Sequence, residues 1–328
     1  MAFFPNQFSM KPSPAGLINV HKLLFTTSSF DLKNFADRSA VEAAGFELIL
    51  NPLGKRLTES QVVELLDDQV VGMVAGIEPM TESVLRGAQS LKVISRCGIG
   101  LDNVDLEAAK KLVISVFNTP DAPTRSVAEL TLAYILSLAR RVAESDRAIR
   151  MGKWQAMMGS LLARQTVGVI GYGRIGKMVT HLLQAFDARV LVHDEIAVAP
   201  EQGVELVSLE TLLMGSDIVT LHIPYSPSTR HLINAKHLAL MKPSALLVNV
   251  ARGGLIDETA LFAALLEKRL AGAALDCFEV EPYLGPLIDC EGVQMTAHMG
   301  SYAREARAMM EQEACANLVE GLRHHGLV

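Results

Sequence analysis

The amino-acid sequence predicts an α/β protein with two domains, each a parallel sheet covered by helices. Short apolar runs alternate with amphipathic segments of ten or more residues, which is the pattern of parallel strands joined by helical connections. These runs fall into two series, separated by a long and largely apolar segment at residues 118–145. The chain of 328 residues also exceeds the size at which one core usually stops growing. We therefore expect two Rossmann-like or flavodoxin-like units.

Five apolar runs make up the first series, and each predicts one strand. Helices are expected between them, for example at Thr58–Leu65 and Leu106–Lys111. The runs are HKLLFTT (21–27), FELILN (46–51), VVGMVAG (70–76), LKVISRCG (91–98) and VISVFN (113–118).

Six runs make up the second series, which follows a long apolar helix. That helix, Val127–Val142, is too hydrophobic for an element that faces solvent, so we expect it to pack against a second subunit or, alternatively, to be buried within the chain. The six runs are QTVGVIG (165–171), ARVLVHD (188–194), SDIVTLHIP (216–224), SALLVNVA (244–251), AGAALDCF (271–278) and GVQMTAH (292–298).

Composition and charge exclude several classes of partner. The net charge of -6 and the lack of clustered Lys and Arg argue against a nucleic-acid surface. No apolar run approaches the roughly 20 residues that would cross a membrane, and the first 18 residues lack the pattern of a secretory signal and predict a loose tail. The four cysteines, Cys97, Cys277, Cys290 and Cys315, have neither the spacing of a metal site nor that of a disulfide framework, so we expect no metal and a reducing, cytoplasmic setting.

A glycine motif, GYGRIG at residues 171–176, follows an apolar strand and opens a helix that runs to about Phe186. In a dinucleotide site Gly171 allows a tight turn, Gly173 lets the backbone approach the pyrophosphate, and Gly176 lets helix and strand pack closely. The helix N-terminus adds N–H donors and partial positive charge. The alternative is a glycine-rich turn in an unrelated α/β protein.

An acid ends the next strand and indicates which dinucleotide binds. Asp194 lies 194 - 171 = 23 positions after the first glycine, where a carboxylate accepts hydrogen bonds from the ribose hydroxyls of NAD. A 2'-phosphate would face the charges of Asp194 and Glu195 with no arginine beside them, so NAD is expected rather than NADP. Glu195 by itself is also consistent with an ordinary exposed acid.

Arg252 emerges at the end of the strand SALLVNVA, on the side where ligands bind in open parallel sheets. Gly253 and Gly254 leave room for a close approach, and Asp257 or Glu258 begins the next helix. A guanidinium there can hold a substrate carboxylate with two parallel hydrogen bonds. The alternative is an arginine in a structural ion pair.

Two further groups lie beyond the next two strands. Glu281 is 281 - 252 = 29 positions after Arg252, and His298 is 298 - 281 = 17 positions after Glu281. A histidine that touches a carboxylate has its protonated form stabilised, so we expect its pKa to rise and the group to act as a general acid. Reduction of a 2-oxo acid needs a hydride, a proton and a grip on the carboxylate, and these groups with NAD supply all three.

Together these motifs resemble the D-isomer-specific 2-hydroxyacid dehydrogenase family, from about residue 21 to about residue 325. Within the family the phrasing is most similar to the D-3-phosphoglycerate dehydrogenases without a regulatory domain. The matching stretches are GIGLDNVDLEAA (98–109), NTPDAPTRSVAEL (118–130), GKW (152–154), DIVTLHIPYSPSTRHLIN (217–234) and ALDCFEVEP (274–282).

The resemblance implies roles for individual residues. Arg252 would anchor the substrate, His298 would act as acid and base, and Glu281 would orient His298. Implied cofactor contacts are Gly171, Gly173, Arg174, Ile175, Gly176, Asp194, His222, Pro224, Thr229, Ala251, Asp276 and His298. Implied substrate contacts are Ala75, Gly76, Ile77, Arg96, Gly98, Ile99, Gly100, Arg252 and His298.

The resemblance also implies a domain arrangement and a homo-oligomer, at least a dimer. The NAD-binding domain, residues 119–299, would be inserted into a substrate domain formed by residues 1–118 and 300–328. Hinges would lie at NTP (118–120) and HMGS (298–301), and closure would exclude water during hydride transfer.

The identity of the acid stays open. Arg96 matches an arginine that faces the substrate phosphate in phosphoglycerate dehydrogenases, but residues 74–78 lack a cation that such enzymes often carry, and Pro123 stands where asparagine is common. Glyoxylate, hydroxypyruvate and a sulfonated lactate analogue are alternatives. The rival class is an NAD-sensing corepressor-like binding protein, whose long extra tails we do not expect here. Formate dehydrogenase is a lesser rival, because its pattern has glutamine where Glu281 stands.

Overall fold

The computed structural model describes residues 20–196 and 202–328, which form two parallel sheets covered by helices. The predicted N-terminal tail lies outside the described residues. No helix in the described part of the chain is long and apolar enough to cross a bilayer.

The first sheet has five parallel strands in the order β2-β1-β3-β4-β5. Each contains the centre of one predicted run, so this half of the fold is confirmed. Its strands are β1 (Lys22–Phe25), β2 (Glu47–Leu50), β3 (Val70–Ala75), β4 (Val93–Arg96) and β5 (Ser115–Asn118).

The second sheet has seven parallel strands in the order β12-β11-β10-β9-β6-β7-β8. Six were predicted, and the seventh, β8, is a three-residue edge strand that the sequence analysis missed because only its pairing with β7 distinguishes it from a loop. The strands are β6 (Thr166–Ile170), β7 (Arg189–His193), β8 (Val204–Leu206), β9 (Ile218–Leu221), β10 (Leu246–Asn249), β11 (Gly272–Leu275) and β12 (Val293–Met295).

Eleven α-helices in the described residues cover these sheets. They are α1 (Arg38–Ala43), α2 (Glu59–Leu65), α3 (Glu82–Gly87), α4 (Leu106–Lys111), α5 (Thr124–Ala139), α6 (Val142–Arg150), α7 (Arg174–Gln184), α8 (Leu209–Gly215), α9 (Ala235–Leu238), α10 (Glu258–Leu266) and α11 (Arg304–His324).

The long apolar helix packs mainly within the chain. Val127, Ile135 and Leu138 of α5 join a core with Val169 and Leu183 from the glycine-motif unit. The helix also ends at Ala139, before Val142. The alternative of burial within the chain is therefore confirmed for these residues, and packing of the helix against a second subunit stays a prediction.

The last helix, α11, returns to pack on the first sheet. Leu318 and Leu322 of α11 pack with Leu23 of β1 and Val93 of β4. Where the chain crosses between the units, the Ser126 hydroxyl donates a hydrogen bond to the carbonyl of Gly300 (2.7 Å). The loop after β10 then meets the loop after β4, where Arg252 pairs with Asp102.

Candidate active site

The catalytic residues predicted from the sequence follow three adjacent strands of the second sheet. Arg252 follows β10, Glu281 follows β11, and His298 follows β12. Because these strands are parallel neighbours, their carboxyl ends lie at one edge and the three loops meet there.

Glu281 and His298 form a direct pair. Nδ1 of His298 lies 3.0 Å from Oε2 and 3.1 Å from Oε1 of Glu281, and Oε1 also accepts a hydrogen bond from the Phe278 N–H (3.2 Å). Partial burial raises the pKa of Glu281, but the hydrogen bond and charge of His298 outweigh it, so this pKa lies below its ordinary value. The carboxylate is therefore charged at neutral pH and holds one ring nitrogen of His298.

The backbone at His298 is held in an uncommon conformation. Its φ is 52°, in the left-handed region that costs energy for residues other than glycine. Its N–H donates to the carbonyl of Asp276 (2.8 Å), and the Asp276 carboxylate accepts from the N–H groups of Met299 (2.7 Å) and Gly300 (2.8 Å). The buried Asp276 thus fixes the turn that presents the imidazole, and a hydrogen bond from the Thr296 hydroxyl fixes Asp276 in turn.

Arg252 is held by an acid that the sequence analysis did not single out. Its Nε and Nη2 donate to Oδ1 of Asp102 (3.1 and 3.0 Å), and its Nη1 donates to the Ala251 carbonyl (2.8 Å). Partial burial raises the pKa of Asp102, but the charge and hydrogen bonds of Arg252 outweigh it and leave this pKa below its ordinary value. The signal was present, since Asp102 lies inside the matched stretch GIGLDNVDLEAA.

The two glycines after Arg252 make room for other parts of the protein. A Cβ on Gly253 would lie 1.9 Å from the carbonyl carbon of Phe278, and one on Gly254 would lie 2.5 Å from the ring of Tyr225. Asp257 caps α10 by accepting from the Ala260 N–H (3.0 Å), as predicted. The close approach therefore serves to pack the β10 loop against the β11 loop that carries Glu281.

The glycine motif forms a tight turn ahead of α7. Gly171 has a φ of 94°, and a Cβ on Gly176 would lie 1.9 Å from the Gly171 carbonyl oxygen. At Gly173 a Cβ would meet nothing, so the backbone there is open to a ligand. Asp194 accepts from the N–H groups of Tyr172 (2.6 Å) and Ile196 (2.8 Å), which places its carboxylate against this turn. These features fit a dinucleotide.

The other predicted cofactor contacts lie around that turn. Arg174 begins α7 and pairs with Asp121 (Nε to Oδ1, 2.6 Å), the half-buried Ile175 follows it, and the Thr229 hydroxyl donates to the Pro224 carbonyl (3.0 Å). In the described chain, no hydrogen bond or ion pair joins Arg174, Asp194 or Thr229 to Arg252 or His298.

His222 is enclosed, although part of the residue stays at the surface. Its Nε2 lies 3.0 Å from the Thr220 hydroxyl, while its Nδ1 is buried and has no hydrogen-bond partner in the described residues. Burial lowers the pKa of His222 to about 3. The ring is therefore neutral at physiological pH and is no candidate for the acid.

The predicted substrate loops of the first sheet reach the arginine of the second. A Cβ on Gly100 would lie 1.8 Å from Nη2 of Arg252, so a larger residue there would displace that guanidinium. Arg96 is buried beneath Gly98 and donates to the Cys97 carbonyl, and burial together with the charge of Arg252 lowers its pKa. Ile99 is exposed in the same loop.

The second predicted substrate loop, Ala75 to Ile77, follows β3. The Gly76 N–H donates to Oε1 of the buried Glu78 (2.9 Å). The Asn103 amide ties this loop to the other by donating to the carbonyls of Gly76 (3.3 Å) and Glu78 (2.7 Å). Both loops are thus fixed at the same end of the first sheet.

Cys277 adds a sulfur to the neighbourhood of the Glu281–His298 pair. One possible ligand atom from each of Cys277, Glu281 and His298 lies within 4.8 Å of the others. The thiol lies 3.4 Å from the Ala251 carbonyl, and Glu281 and His298 hold each other, so each group has a partner within the protein.

Comparison with known proteins shows which family the sequence matches. Residues 132–300 match the family model described as D-isomer specific 2-hydroxyacid dehydrogenase, NAD binding domain. A D-3-phosphoglycerate dehydrogenase of Methanocaldococcus jannaschii is 42% identical over 76% of this chain and 49% of its own length. A hydroxypyruvate reductase of Thermotoga maritima is 35% identical over 83% of this chain and 90% of its own.

Solved structures agree with the fold. The D-lactate dehydrogenase of Aquifex aeolicus complexed with NAD and lactic acid superposes with a TM-score of 0.81, at 28% identity, over 93% of this chain and 96% of its own. The chain spans about half the length of the D-3-phosphoglycerate dehydrogenases that it matches.

Proposed function

Because the chain belongs to the D-isomer specific 2-hydroxyacid dehydrogenase family, we propose that it is an NAD-dependent oxidoreductase that interconverts a small 2-oxo acid and its D-2-hydroxy acid. One observation carries this proposal. Arg252, paired with Asp102, follows β10, and His298, paired with Glu281, follows β12, at one edge of the sheet that also bears the glycine turn. An anion anchor and a proton donor are the two protein groups that such a reaction needs.

Arg252 would hold the substrate carboxylate. Asp102 engages Nε and one N–H of Nη2, and Ala251 engages one N–H of Nη1, which leaves one N–H on each terminal nitrogen of the five-donor guanidinium. Two donors on one rigid plane match the two oxygens of a carboxylate. Asp102 therefore orients Arg252 and still leaves two of its N–H donors for the substrate carboxylate.

His298 would move the proton at the reacting oxygen. Since Glu281 holds Nδ1, the other ring nitrogen, Nε2, is the one left for the substrate. In reduction Nε2 gives a proton to the carbonyl oxygen, and in oxidation it takes the hydroxyl proton. NAD, when bound at the glycine turn, would supply or accept the hydride.

We propose NAD in preference to NADP, held at Gly173 and the start of α7 with Asp194 toward the ribose. The predicted domain division, 1–118 with 300–328 and 119–299, and the roles of the other cofactor and substrate contacts belong to the same proposal. So does a homodimer, which the exposed apolar residues of α6 and the segment after it support.

The test is an NADH-oxidation screen of the purified chain against phosphohydroxypyruvate, sulfopyruvate, hydroxypyruvate, glyoxylate and pyruvate. We expect turnover with at least one acid, and a loss of about 10²- to 10⁴-fold in kcat/KM for His298→Asn because the proton donor is gone. Arg252→Ala should lose activity chiefly through substrate binding. NADH fluorescence should show that both variants still bind the cofactor. A chain that binds NADH but reduces no acid would instead favour an NAD-sensing binding protein.

A further inference from the structure

We propose that Arg56 binds a second anionic group at the far end of the substrate, so that the preferred substrate is a dianionic 2-oxo acid. This inference rests on the proposed function and names the substrate class of the same site. Arg56 lies in the loop between β2 and α2, which none of the sequence motifs included. Among the described residues around the first sheet, Arg56 is the one that forms an ion pair with the catalytic pair.

The loop holds the backbone of Arg56 on both sides. The side-chain amide of Asn51 donates to the carbonyls of Thr26 (2.9 Å) and Lys55 (2.9 Å), and its oxygen accepts from the Leu53 N–H (2.9 Å). On the other side, Leu57 is only 1% exposed and belongs to the core under β1 and β3. Arg56 therefore projects from a fixed position.

The guanidinium of Arg56 lies near the catalytic pair but forms no hydrogen bond with it. Its Nη1 lies 4.0 Å from Oε2 of Glu281, the oxygen that His298 also contacts. That distance is too long for a hydrogen bond. In residues 20–196 and 202–328 no group accepts a hydrogen bond from Arg56, whose side chain is 45% exposed.

The other charged groups of the cleft are already engaged. Arg252 is paired with Asp102, Arg96 donates to the Cys97 carbonyl, and Glu281 is paired with His298. Glu78 accepts hydrogen bonds from the Thr26 hydroxyl and the Gly76 N–H. Among the described residues, Arg56 is thus the cation near the reacting groups that donates no hydrogen bond to the protein, while the two open N–H groups of Arg252 are left for the substrate carboxylate.

The position of Arg56 can compensate for the cation that is missing from residues 74–78. Residues 74–78, after β3, carry no cation for a substrate tail. Strands β2 and β3 both neighbour β1, so the loops that follow them lie at the same end of the sheet. A cation from the loop after β2 can therefore serve the anion that the loop after β3 does not. Phosphonate, sulfonate and carboxylate tails all offer oxygens to a guanidinium.

The test compares substrates with and without a second anion in the Arg56→Ala variant. For phosphohydroxypyruvate, sulfopyruvate and oxaloacetate we expect kcat/KM to fall about 10- to 100-fold, mainly through KM, because a charge-assisted hydrogen bond is lost. For glyoxylate and hydroxypyruvate we expect less than about a threefold change. Arg56→Lys should recover part of the loss, which separates recognition from misfolding.

Lys55→Ala is the matched control, because it removes an exposed cation from the same loop and should leave the ratio between the substrate classes unchanged. An equal loss on both classes would mean that Arg56 acts through Glu281 and would overturn the inference, as would no loss on either. If the wild-type chain reduces no acid at all, the proposed function itself fails. That outcome is recognised before any variant is made.

Discussion

At the residue scale, Asp102 orients the guanidinium of Arg252. It lies in a loop of the first sheet, while Arg252 belongs to the second, and the two meet at 3.0 Å over Gly100. The pair has a cost, since both groups lose water, and a gain, since the guanidinium plane is fixed before the substrate arrives. The same contact joins the two units at the cleft, so a change in their relative position would alter the orientation of Arg252.

His222 allows a prediction about pH. Its pKa is lowered to about 3 by burial, so the unfolded state, with an ordinary histidine pKa of 6.5, binds the extra proton first. The neutral ring of His222 therefore costs the folded state nothing above about pH 6.5. As the pH falls from there toward 3, the free energy of unfolding drops by at most about 1.4 kcal/mol per pH unit. Between pH 7 and pH 5 we expect the wild-type chain to lose about 1 to 2 kcal/mol more unfolding free energy than His222→Gln.

Urea unfolding followed by circular dichroism at several pH values measures this difference. Equal pH dependence in the two proteins would mean that the histidine is protonated in the folded state. The two proteins should bind NADH with similar affinity only if His222 is not a cofactor contact, so the same samples also address that role.

At the residue scale, sequence reasoning finds the groups whose positions depend directly on the order of strands. Arg252, Glu281 and His298 were predicted because each comes after a recognisable strand of one sheet, and the structure brings Glu281 and His298 into contact. Asp102 and Arg56 were not singled out because their partners lie in the other unit. Only the packing of the two units decides which loops of the first sheet reach the second.

The glycine turn allows a prediction at the element scale, because two of its glycines are needed for different reasons. A Cβ on Gly176 would lie 1.9 Å from the Gly171 carbonyl oxygen, so Gly176→Ala must push β6 and α7 apart. We expect it to lower the free energy of unfolding by about 1 to 3 kcal/mol and to abolish NADH binding. Thermal unfolding and NADH fluorescence measure the two effects.

Gly173→Ala is the matched control for that experiment. A Cβ there would meet no protein atom, so stability should change by less than about 1 kcal/mol. NADH binding should still weaken at least about tenfold, because the added methyl stands where the pyrophosphate approaches the backbone. If both variants bind NADH normally, the turn is structural and the cofactor lies elsewhere.

Helices and strands could be predicted from the sequence where their own residues form a recognisable apolar pattern. Of the twelve strands in the described residues, eleven lie within a predicted run, because strands buried on both faces are continuously apolar. The edge strand β8 has two exposed residues of three and carries no such pattern. For α5 the apolar composition correctly indicated burial. It could not show what packs on the helix, because a buried helix surface looks the same whether its partner belongs to the same chain or to a second subunit.

At the scale of the whole molecule, a stretch of exposed apolar residues follows α5. Trp154 and Met158 are 92% and 89% exposed, and Val142, Met151 and Leu161 are also exposed. A contiguous stretch of this kind, residues 142–161, is typical of a protein interface, because isolated exposed apolar residues need no explanation but a large patch does.

We expect the wild-type chain to sediment as a dimer through the 142–161 segment, and Trp154→Glu with Met158→Glu to sediment as a monomer, because two charges would be buried without partners. Analytical ultracentrifugation measures the mass. Leu284→Glu is the matched control, since Leu284 is also 89% exposed but lies outside the segment, and this variant should remain dimeric. A wild-type monomer, or a double variant that stays dimeric, would contradict the assignment.

The segment follows α5 directly, and α5 packs against the glycine-motif helix α7. We therefore expect loss of the dimer to weaken NADH binding as well as to lower the sedimenting mass.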